Sequence, residues 1–312
     1  MTASTPSPQL PVHVRAPGKI NLYLGVGAPG EHGYHEIATA YQAVSLYDDV
    51  YAEPADTLEV IFTPSADGGP GPDRNHYAMR AAKAIRRRTR FAGGARIRID
   101  KGLPFAGGMG GGAADAAAVL VALDTLWGTG LGREQLVRLG ARIGVDVPFA
   151  LLGGTAIGTG RGDRLSPALA TGSFHWVVVT TGEGLATADV YRELDAQRAE
   201  HADQLVPAPS VPEVPTEVLQ ALRGGSPHQL AEVLHNDLQV AVMRRRPDLT
   251  AIIERGERAG ALAGVVCGSG PTVAFLTASA DDALALQLEL SVAGLRALRV
   301  GGAVHGARVV NS

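Results

Sequence analysis

The residues with the clearest capacity for chemistry are the glycines that follow Pro104. Five of the six residues from Gly107 to Gly112 are glycine, and an alanine-rich segment that favours a helix follows them. The first turn of a helix leaves backbone N–H groups without intrahelical partners, and the helix dipole adds partial positive charge there. Glycine also lets the backbone approach a ligand closely. The junction therefore predicts a phosphate-binding site rather than a flexible linker.

The spacing of these glycines argues against two familiar nucleotide loops. The first and last glycines have the spacing of a P-loop, but Ala113 and Ala114 stand where that loop needs Lys and Ser or Thr. Gly108, Gly110 and Ala113 loosely fit the dinucleotide fingerprint, a fit that so glycine-rich a run makes almost inevitable. That fingerprint also requires a second strand that ends in an acidic residue about 20 positions later, and the pattern offers none.

Asp146 and Lys19 are the candidate catalytic side chains. Asp146 lies in the apolar run 145–149, and a carboxylate in such surroundings is rarely left without a charged partner. Lys19 is a suitable partner. Phosphoryl transfer asks a protein to align an alcohol, neutralise phosphate charge and accept the proton of the alcohol, which these two groups could do. Taken singly, a turn aspartate is an equally reasonable interpretation of Asp146, and a surface lysine in a turn is the favoured interpretation of Lys19.

The elements that position these residues follow from the hydrophobic pattern. Strands are predicted at 12–15, 20–26, 96–100, 263–267, 273–276 and 297–300. Helices are predicted at 115–127, 133–143, 216–223, 227–245, 248–259 and 281–293. Strands and helices that do not alternate regularly favour an α+β fold. The length of 312 residues favours two domains, which we place at 12–165 and 166–312 after a disordered tail at 1–11.

Composition limits the classes of partner. A formal charge of −3 and a pI near 6.3 provide no electrostatic case for binding nucleic acid or an anionic membrane. The single cysteine, Cys267, excludes an intramolecular disulfide and a multi-cysteine metal cluster. The first eleven residues lack the features of a signal peptide, and no stretch reaches transmembrane length, so we expect a cytoplasmic protein. The basic cluster Arg80, Lys83 and Arg86–Arg88 is interpreted as a solvated helix face.

Four motifs together resemble the GHMP kinase superfamily, small-molecule kinases whose glycine-rich ATP loop lacks a Walker lysine. The first is the run Leu-Pro-x-x-x-Gly-Met-Gly-Gly-Gly-Ala-Ala that begins at Leu103. The others are Ala16–Leu24 with Gly33-Tyr-His35, Gly144–Pro148, and Gly268–Thr272 preceded by His235–Leu238. The Tyr-His pair and the Asp-Val-Pro turn resemble one member of the superfamily more than its mevalonate and homoserine relatives.

The resemblance implies a fold and a reaction. The fold would combine an N-terminal domain of the ribosomal protein S5 domain 2-like type with a ferredoxin-like C-terminal domain, and ATP and substrate would meet between them. The reaction would transfer the γ-phosphoryl group of ATP to a tertiary hydroxyl of 4-diphosphocytidyl-2-C-methyl-D-erythritol, in non-mevalonate isoprenoid biosynthesis. The partner would thus be a small molecule, and the chain would be a monomer or a weak homodimer.

The resemblance also implies roles for individual residues. Lys19 and Asp146 fall on the catalytic positions, and Asn21, Tyr34, His35 and Tyr191 fall on positions that hold the substrate, the aromatic ones around its cytidine base. The ATP-binding residues would be Pro104, Phe105, Ala106, Gly107, Gly108, Met109, Gly110, Gly111, Gly112, Ala113 and Ala114.

One departure from the motif concerns the metal. Ala113 and Ala114 replace the serines that commonly follow the glycines, so no side-chain metal ligand is assigned, and Mg²⁺ would be carried by the phosphates of ATP and by water. Two alternatives stay open from the residues alone. One is a kinase for another small alcohol, which would have no use for a base-stacking Tyr34. The other is an inactive nucleotide-binding module, which the presence of both Lys19 and Asp146 disfavours.

Overall fold

The computed structural model describes residues 11–30, 33–63, 76–105, 107–182 and 184–310. Within them the strands are β1 Val12–Pro29, β2 His35–Ala55, β3 Leu58–Phe62, β4 Gly94–Asp100, β5 Thr155–Thr159, β6 Arg164–Pro167, β7 Phe174–Thr180, β8 His235–Asn236, β9 Ala263–Val266, β10 Val273–Thr277, β11 Arg296–Gly302 and β12 Arg308–Val309. The helices are α1 His76–Thr89, α2 Gly111–Leu126, α3 Arg133–Gly140, α4 Val147–Leu152, α5 Thr187–Glu200, α6 Thr216–Gly224, α7 Pro227–Ala231, α8 Gln239–Arg245, α9 Asp248–Arg258 and α10 Ala280–Val292. The predicted tail lies outside the described residues, apart from Pro11, and so does Ala106.

The long antiparallel pair of β1 and β2 is the spine of the molecule. Three strands in turn pair with the other edge of β2: β5 along 39–42, β11 at Val44, and β4 along 49–55. From β11 the sheet continues through β7 and β10 to β9. The mixed sheet and its helices form the α+β fold that the sequence pattern predicts.

The strand β1 is continuous, so the prediction of two strands broken at residues 16–19 is wrong. The pairing with β2 instead shifts register between Pro17 and Gly18, where Pro17 lies opposite Tyr47 and Gly18 opposite Val44. A bulge tolerates proline, which cannot donate a ladder hydrogen bond. The Ala-Pro-Gly sequence therefore bends the strand without ending it, and Lys19 lies on a strand rather than in a turn.

Helix α2 forms the centre of the first hydrophobic core. Its residues from Ala113 to Leu120 are all buried, and it packs against α1, β1 and β2. Alanine has the highest helix propensity, and its short side chain lets neighbouring elements approach closely. The helix begins at Gly111, four residues before the predicted start, so glycines of the loop themselves form its first turn.

A second core lies under the other half of the sheet. Strand β7 joins the two cores, since Trp176 and Val178 pack into the first whereas Val177 and Val179 pack into the second. The domain boundary between residues 165 and 166 stays a prediction. It would fall within β6, which ends at Pro167, and β12 from the predicted second domain pairs with β1 from the first. None of the described helices is both long and apolar enough to cross a membrane.

The predicted helix 227–245 is wrong, because the segment contains α7, the short strand β8 and α8. The side chain of Asn236 explains the interruption. Its amide donates to the carbonyl oxygens of Val266 and Gly268, each at 2.8 Å, and its Oδ1 accepts from the backbone of Leu238 at 2.9 Å. The two amide contacts, with residues 30 and 32 positions away, override the local helical pattern.

Candidate active site

The glycine loop meets α2 in a conformation that glycine favours. Gly108 and Gly110 have φ values of 77° and 76°, in the left-handed region, and a Cβ on Gly108 would lie 1.8 Å from the carbonyl oxygen of Cys267. Gly110 is the N-cap of α2, and no side chain caps the helix. The N–H groups of the first turn are thus available to an anion, as the sequence predicts.

Lys19 is held against this loop from β1. Its backbone N–H donates to the carbonyl oxygen of Met109 at 3.0 Å, and its side chain is only 8% exposed. The Nζ atom donates to Oδ1 of Asn21 at 2.6 Å, and the amide of Asn21 donates to Thr39 at 2.8 Å. Residues two apart on a strand project to one side, which places Asn21 beside Lys19. The chain of hydrogen bonds orients the ammonium group.

Asp146 is held by Tyr41. It is the N-cap residue of α4, yet its carboxylate does not cap the helix and instead accepts a hydrogen bond from the Tyr41 hydroxyl at 3.2 Å. The Tyr41 ring stacks on Phe149 and lies 5.6 Å from Nζ of Lys19. Burial, followed by the charge of Asp146, raises the pKa of Tyr41 well above its ordinary value, so this hydroxyl stays a donor.

A cavity of about 320 Å³ brings these groups together. Lys19, Asn21, Tyr41 and Asp146 line it together with Gly107, Gly108, Gly110, Gly111, Gly112 and Ala113 of the glycine loop. Among the described residues Lys19 and Asp146 do not form the ion pair that the sequence suggested. Tyr41 lies between them, because the register of β1 and β2 places it directly opposite Asn21.

The C-terminal half closes the cavity with a second glycine loop. Gly268 and Ser269 line the cavity, and the Ser269 hydroxyl lies 3.0 Å from that of Thr187 at the start of α5. Asn236, described above, holds the backbone of this loop through Gly268. Gly268 thus lines the cavity directly, whereas the buried Asn236 of the same motif supports it from behind.

The substrate residues that the sequence predicted do not all lie at the cavity wall. Tyr191 lines the cavity, and its ring centroid lies 5.1 Å from that of His35, whose Nε2 lies 2.9 Å from a carboxylate oxygen of Asp195. Burial, followed by the charge of Asp146, raises the pKa of Tyr191 above its ordinary value. Tyr34 is 69% exposed just before β2 and is absent from the described lining residues.

The predicted ATP-binding residues also separate by position. Met109 and Ala114 are fully buried in the first core, so only their backbone can face a ligand. Pro104 and Phe105 are not among the described lining residues of the cavity, and the Phe105 ring packs edge-on to Phe62. Of the predicted ATP-binding residues that the structure describes, those that line the cavity are 107, 108 and 110–113.

A buried ionic network supports the loop from below. Nζ of Lys101 donates to Asp48, to both carboxylate oxygens of Asp115 at 3.0 Å, and to the carbonyl oxygen of Gly111 at 3.4 Å. Asp48 also accepts from the two backbone N–H groups that follow Lys101, at 3.0 and 2.9 Å. Burial lowers the pKa of Lys101, but Asp48 and Asp115 outweigh it and the net pKa is raised. For Asp115, burial raises the pKa well above its ordinary value.

Sequence reasoning missed several residues of the cavity. Tyr41, Tyr77 and Arg161 line it, and Arg161 is its second cation besides Lys19 among the described residues. Tyr77 packs against Gly112 and Gly144. A period-2 pattern on β2 could have suggested Tyr41, but nothing local marks Tyr77 or Arg161, because remote segments bring them to the site.

This combination of a glycine-rich anion site, a buried lysine and an aspartate in one cavity fits phosphoryl transfer to a small molecule. Two family models match the chain. The N-terminal domain of the GHMP kinases matches residues 76–154, and the C-terminal domain of the GHMP kinases matches residues 218–294. The chain belongs to the GHMP kinase family and has its two-domain α+β fold.

The similarity to individual relatives extends over nearly the whole chain. The 4-diphosphocytidyl-2-C-methyl-D-erythritol kinase of Clavibacter michiganensis subsp. michiganensis is 58% identical over 96% of each chain. The kinase of the same name from Nocardia farcinica is 48% identical over 100% of this chain and 99% of its own. A crystal structure of 4-(cytidine 5'-diphospho)-2C-methyl-D-erythritol kinase has a TM-score of 0.75 and 32% identity, over 94% of this chain and 99% of that one.

Proposed function

We propose that this chain transfers the γ-phosphoryl group of ATP to the 2-hydroxyl of 4-diphosphocytidyl-2-C-methyl-D-erythritol, giving the 2-phosphate and ADP in the non-mevalonate route to isoprenoid precursors. The observation that carries the proposal is the 58% identity, over 96% of each chain, to a relative that is named for this activity. The geometry of the cavity supports the same reaction, since it provides a donor end, a transfer point and an acceptor end.

At the donor end, ATP binds with its phosphates against the glycine loop. The uncapped first turn of α2 presents N–H groups and the positive end of the helix dipole. The left-handed conformations of Gly108 and Gly110 let the backbone follow the phosphates, and Lys19 lies beside Gly110. The roles of the loop residues are thus mostly those of the backbone, which is why Ala113 and Ala114 can replace serine.

At the transfer point, Asp146 accepts the proton of the acceptor hydroxyl. The oxygen then forms a bond to the γ-phosphorus as the bond from that phosphorus to the oxygen bridging to the β-phosphate breaks, and ADP leaves. Lys19 neutralises negative charge on the transferred group, with Asn21 orienting its ammonium. Tyr41 is a positioning residue, because its hydroxyl holds Asp146 in place. The sequence-based assignment of Lys19 and Asp146 as catalytic therefore remains our proposal.

At the acceptor end, His35, Tyr34 and Tyr191 hold the cytidine base. Tyr191 and His35 already lie ring to ring, and the exposed Tyr34 covers the base when the substrate is present. We assign Arg161 to the diphosphate of the substrate. The carbonyl oxygen of the preceding Gly160 accepts from the backbone of Ile37, two residues beyond His35, so the arginine lies near the base-binding residues.

Mg²⁺ fits this site as a companion of ATP. Asp146 is the one carboxylate among the described residues that line the cavity, and no group of three or more His, Cys, Asp or Glu side chains that could hold a metal occurs in the described part of the chain. The phosphates of ATP and water would supply most ligands, with Asp146 as the protein group within reach. When bound, the ion neutralises phosphate charge.

For the molecule as a whole, we propose a cytoplasmic monomer or weak homodimer that binds neither nucleic acid nor a membrane surface. The net charge of −3 supports the absence of such polyanionic partners.

The test is phosphoryl transfer by the purified full-length chain. With ATP, Mg²⁺ and 4-diphosphocytidyl-2-C-methyl-D-erythritol, we expect a new phosphomonoester resonance in ³¹P NMR and one ADP for each product formed. Mevalonate and homoserine, under the same conditions, should release no ADP above background. Transfer to either of those alcohols but not to the cytidyl compound would indicate a kinase of other specificity. ATP binding without transfer to any acceptor would indicate an inactive nucleotide-binding module.

A further inference from the structure

A second cavity, of about 460 Å³, lies between α1 and the end of α3. Five cationic side chains line it: Arg80, Lys83, Arg87, Arg88 and Arg142. We call this cavity the basic groove. The four residues from α1 recur at helical spacing and so share one face, and Arg142 approaches from the segment after α3. No carboxylate is among the described residues that line the groove.

The floor of the basic groove is apolar. Ala84 and Leu139 are half-buried and Ile143 is buried, and all three line the groove between the cations. Ligand pockets for small molecules commonly combine such a floor with a few convergent polar groups, in volumes of roughly 300–1,000 Å³. The groove therefore has the size and composition of a binding site for an anion that also carries an apolar body.

The cations of the groove differ from Arg96 and Arg244 in their partners. Arg96 pairs with Glu53 and Glu59, and Arg244 pairs with two glutamates of α5. By contrast, none of the five groove cations forms an ion pair within the described part of the chain. Two of them donate to neutral oxygens only: Arg80 to the carbonyl oxygen of Arg142, at 3.3 Å, and Arg88 to the side chain of Gln135, at 3.4 Å.

The helix itself does not account for this arrangement. Basic residues in the last turn of α1 are favoured by the helix dipole, which explains Arg86–Arg88. Arg80 and Lys83 lie before that turn, and like charges three or four residues apart repel each other. A charge cluster that disfavours the helix, surrounds a cavity and has no carboxylate partner among the described residues favours the binding of an anion there. The interpretation of the cluster as a merely solvated face does not explain the convergence of Arg142.

We propose that the basic groove binds a small molecule that carries two or more phosphate groups on an apolar body, of the nucleotide or organic diphosphate class. The two sides of the groove supply guanidinium groups suited to phosphate oxygens, and the floor receives the apolar part. The five positive charges of the groove line one cavity, in a chain whose net charge is −3. This distribution favours a small anion over nucleic acid as the ligand. The basic groove and the active-site cavity share none of their described lining residues, so the proposal does not depend on the proposed kinase activity.

The test is calorimetric titration of the full-length chain with inorganic pyrophosphate. The test variant is Lys83→Gln with Arg87→Gln, which removes two charges but keeps polar side chains. The matched control is Arg255→Gln with Arg258→Gln on α9, where a smaller cavity also contains Glu289. We expect the wild type and the control to bind pyrophosphate at the groove with equal affinity, and the test variant to weaken this binding at least about tenfold. The kcat with ATP should be the same in all three proteins.

Arg142→Gln provides a second variant that leaves α1 unchanged, and it should weaken the same binding event. Pyrophosphate binding that is unchanged in both groove variants, or weakened equally in the control, would overturn the proposal. Groove-dependent binding of an oligothymidine that is tighter than that of pyrophosphate would overturn the small-molecule class.

Discussion

Asp146 is the residue on which the proposed chemistry depends most. Asp146→Asn keeps the size of the side chain and can still accept the Tyr41 hydrogen bond, but it loses charge and basicity. Because general-base catalysis contributes about 10²–10⁴-fold, kcat should fall by at least about 10²-fold while KM for ATP and for the acceptor changes little. Steady-state kinetics measure this, and Asp203→Asn at an exposed position is the control.

Lys19→Met should produce a comparable loss of kcat, and the double variant should lose much less than the product of the two single losses, because residues that act as a unit are non-additive. An Asp146→Asn enzyme that retains more than about a tenth of wild-type turnover would reject the general-base role. The reaction would then depend on positioning and charge neutralisation alone.

In the proposed function, different residues of the acceptor end recognise the base and the diphosphate of the substrate. Tyr34 is exposed, so Tyr34→Ala should leave the unfolding temperature unchanged. The variant should weaken the binding of both cytidine and cytidine diphosphate by about 1–3 kcal/mol, the size of a lost base–aromatic stack. Arg161→Met should weaken the binding of cytidine diphosphate by about 1.5–3 kcal/mol and leave the binding of cytidine unaffected, because cytidine has no phosphate. Calorimetric titration with the two ligands checks both variants. Equal losses for Arg161→Met with both ligands would contradict its assignment.

At the scale of elements, the junction of β4, the glycine loop and α2 depends on the ionic network of Lys101. Lys101→Met would leave Asp48 and Asp115 buried without their ammonium partner, which costs about 3–5 kcal/mol at neutral pH. Burial already raises the pKa of Asp115 above its unfolded value, and loss of the ammonium removes the main opposing influence, so the folded state favours the proton more strongly. Stability is then retained at acid pH and lost as the pH rises through the folded pKa.

Urea unfolding at pH 5 and pH 7 should thus show that Lys101→Met lowers the free energy of unfolding, relative to the wild type, by less at the lower pH. Lys83→Met, at an exposed position on α1, is the control and should change little at either pH. A deficit for Lys101→Met that does not depend on pH would mean that lost packing, rather than unpaired buried carboxylates, causes the destabilisation.

At the scale of the molecule, Asp237 links β1 to elements of the C-terminal half. One carboxylate oxygen accepts from the backbone of Val26, at 2.7 Å, and from Arg198 of α5, at 3.2 Å, while the other lies 2.7 Å from His235. Burial raises the pKa of Asp237, but the hydrogen bond with His235, together with those from Val26 and the charges nearby, outweighs it and lowers the net pKa. A lowered pKa stabilises the fold above the unfolded value of about 3.9, and this contribution is lost as the pH falls through the folded pKa.

Asp237→Asn should therefore lower the free energy of unfolding by about 1–2 kcal/mol at neutral pH, allowing for solvent screening of a carboxylate that is 25% exposed. The variant and the wild type should converge as the pH falls below the range of carboxyl titration. Denaturant unfolding across this range provides the measurement. If the difference in free energy of unfolding between the variant and the wild type stayed the same at acid pH, the charge of Asp237 would not be what stabilises the contact between β1 and the C-terminal half.

The sequence by itself determined the parts of this protein that depend on local backbone chemistry. A glycine run before an alanine-rich segment predicts an anion site, because conformational freedom and uncapped N–H groups are properties of the segment itself. The same holds for the α+β class and for most strands and helices of the C-terminal half. Lys19 and Asp146 were recognisable from their motifs, and both line the cavity.

Only the tertiary structure decided which groups meet. Tyr41 reaches Asp146 across 105 residues, and Arg161 and Tyr77 enter the cavity from segments with no local signal. The continuity of β1 through Pro17 depends on its pairing with β2, and the break of the predicted helix 227–245 depends on the contacts of Asn236. At Asn236, hydrogen bonds with Val266 and Gly268 outweigh a local helix propensity of at most about 1 kcal/mol per residue. At Pro17, the ladder with β2 continues on both sides of the register shift, past a residue that cannot donate. Such partners are set by packing rather than by neighbouring sequence.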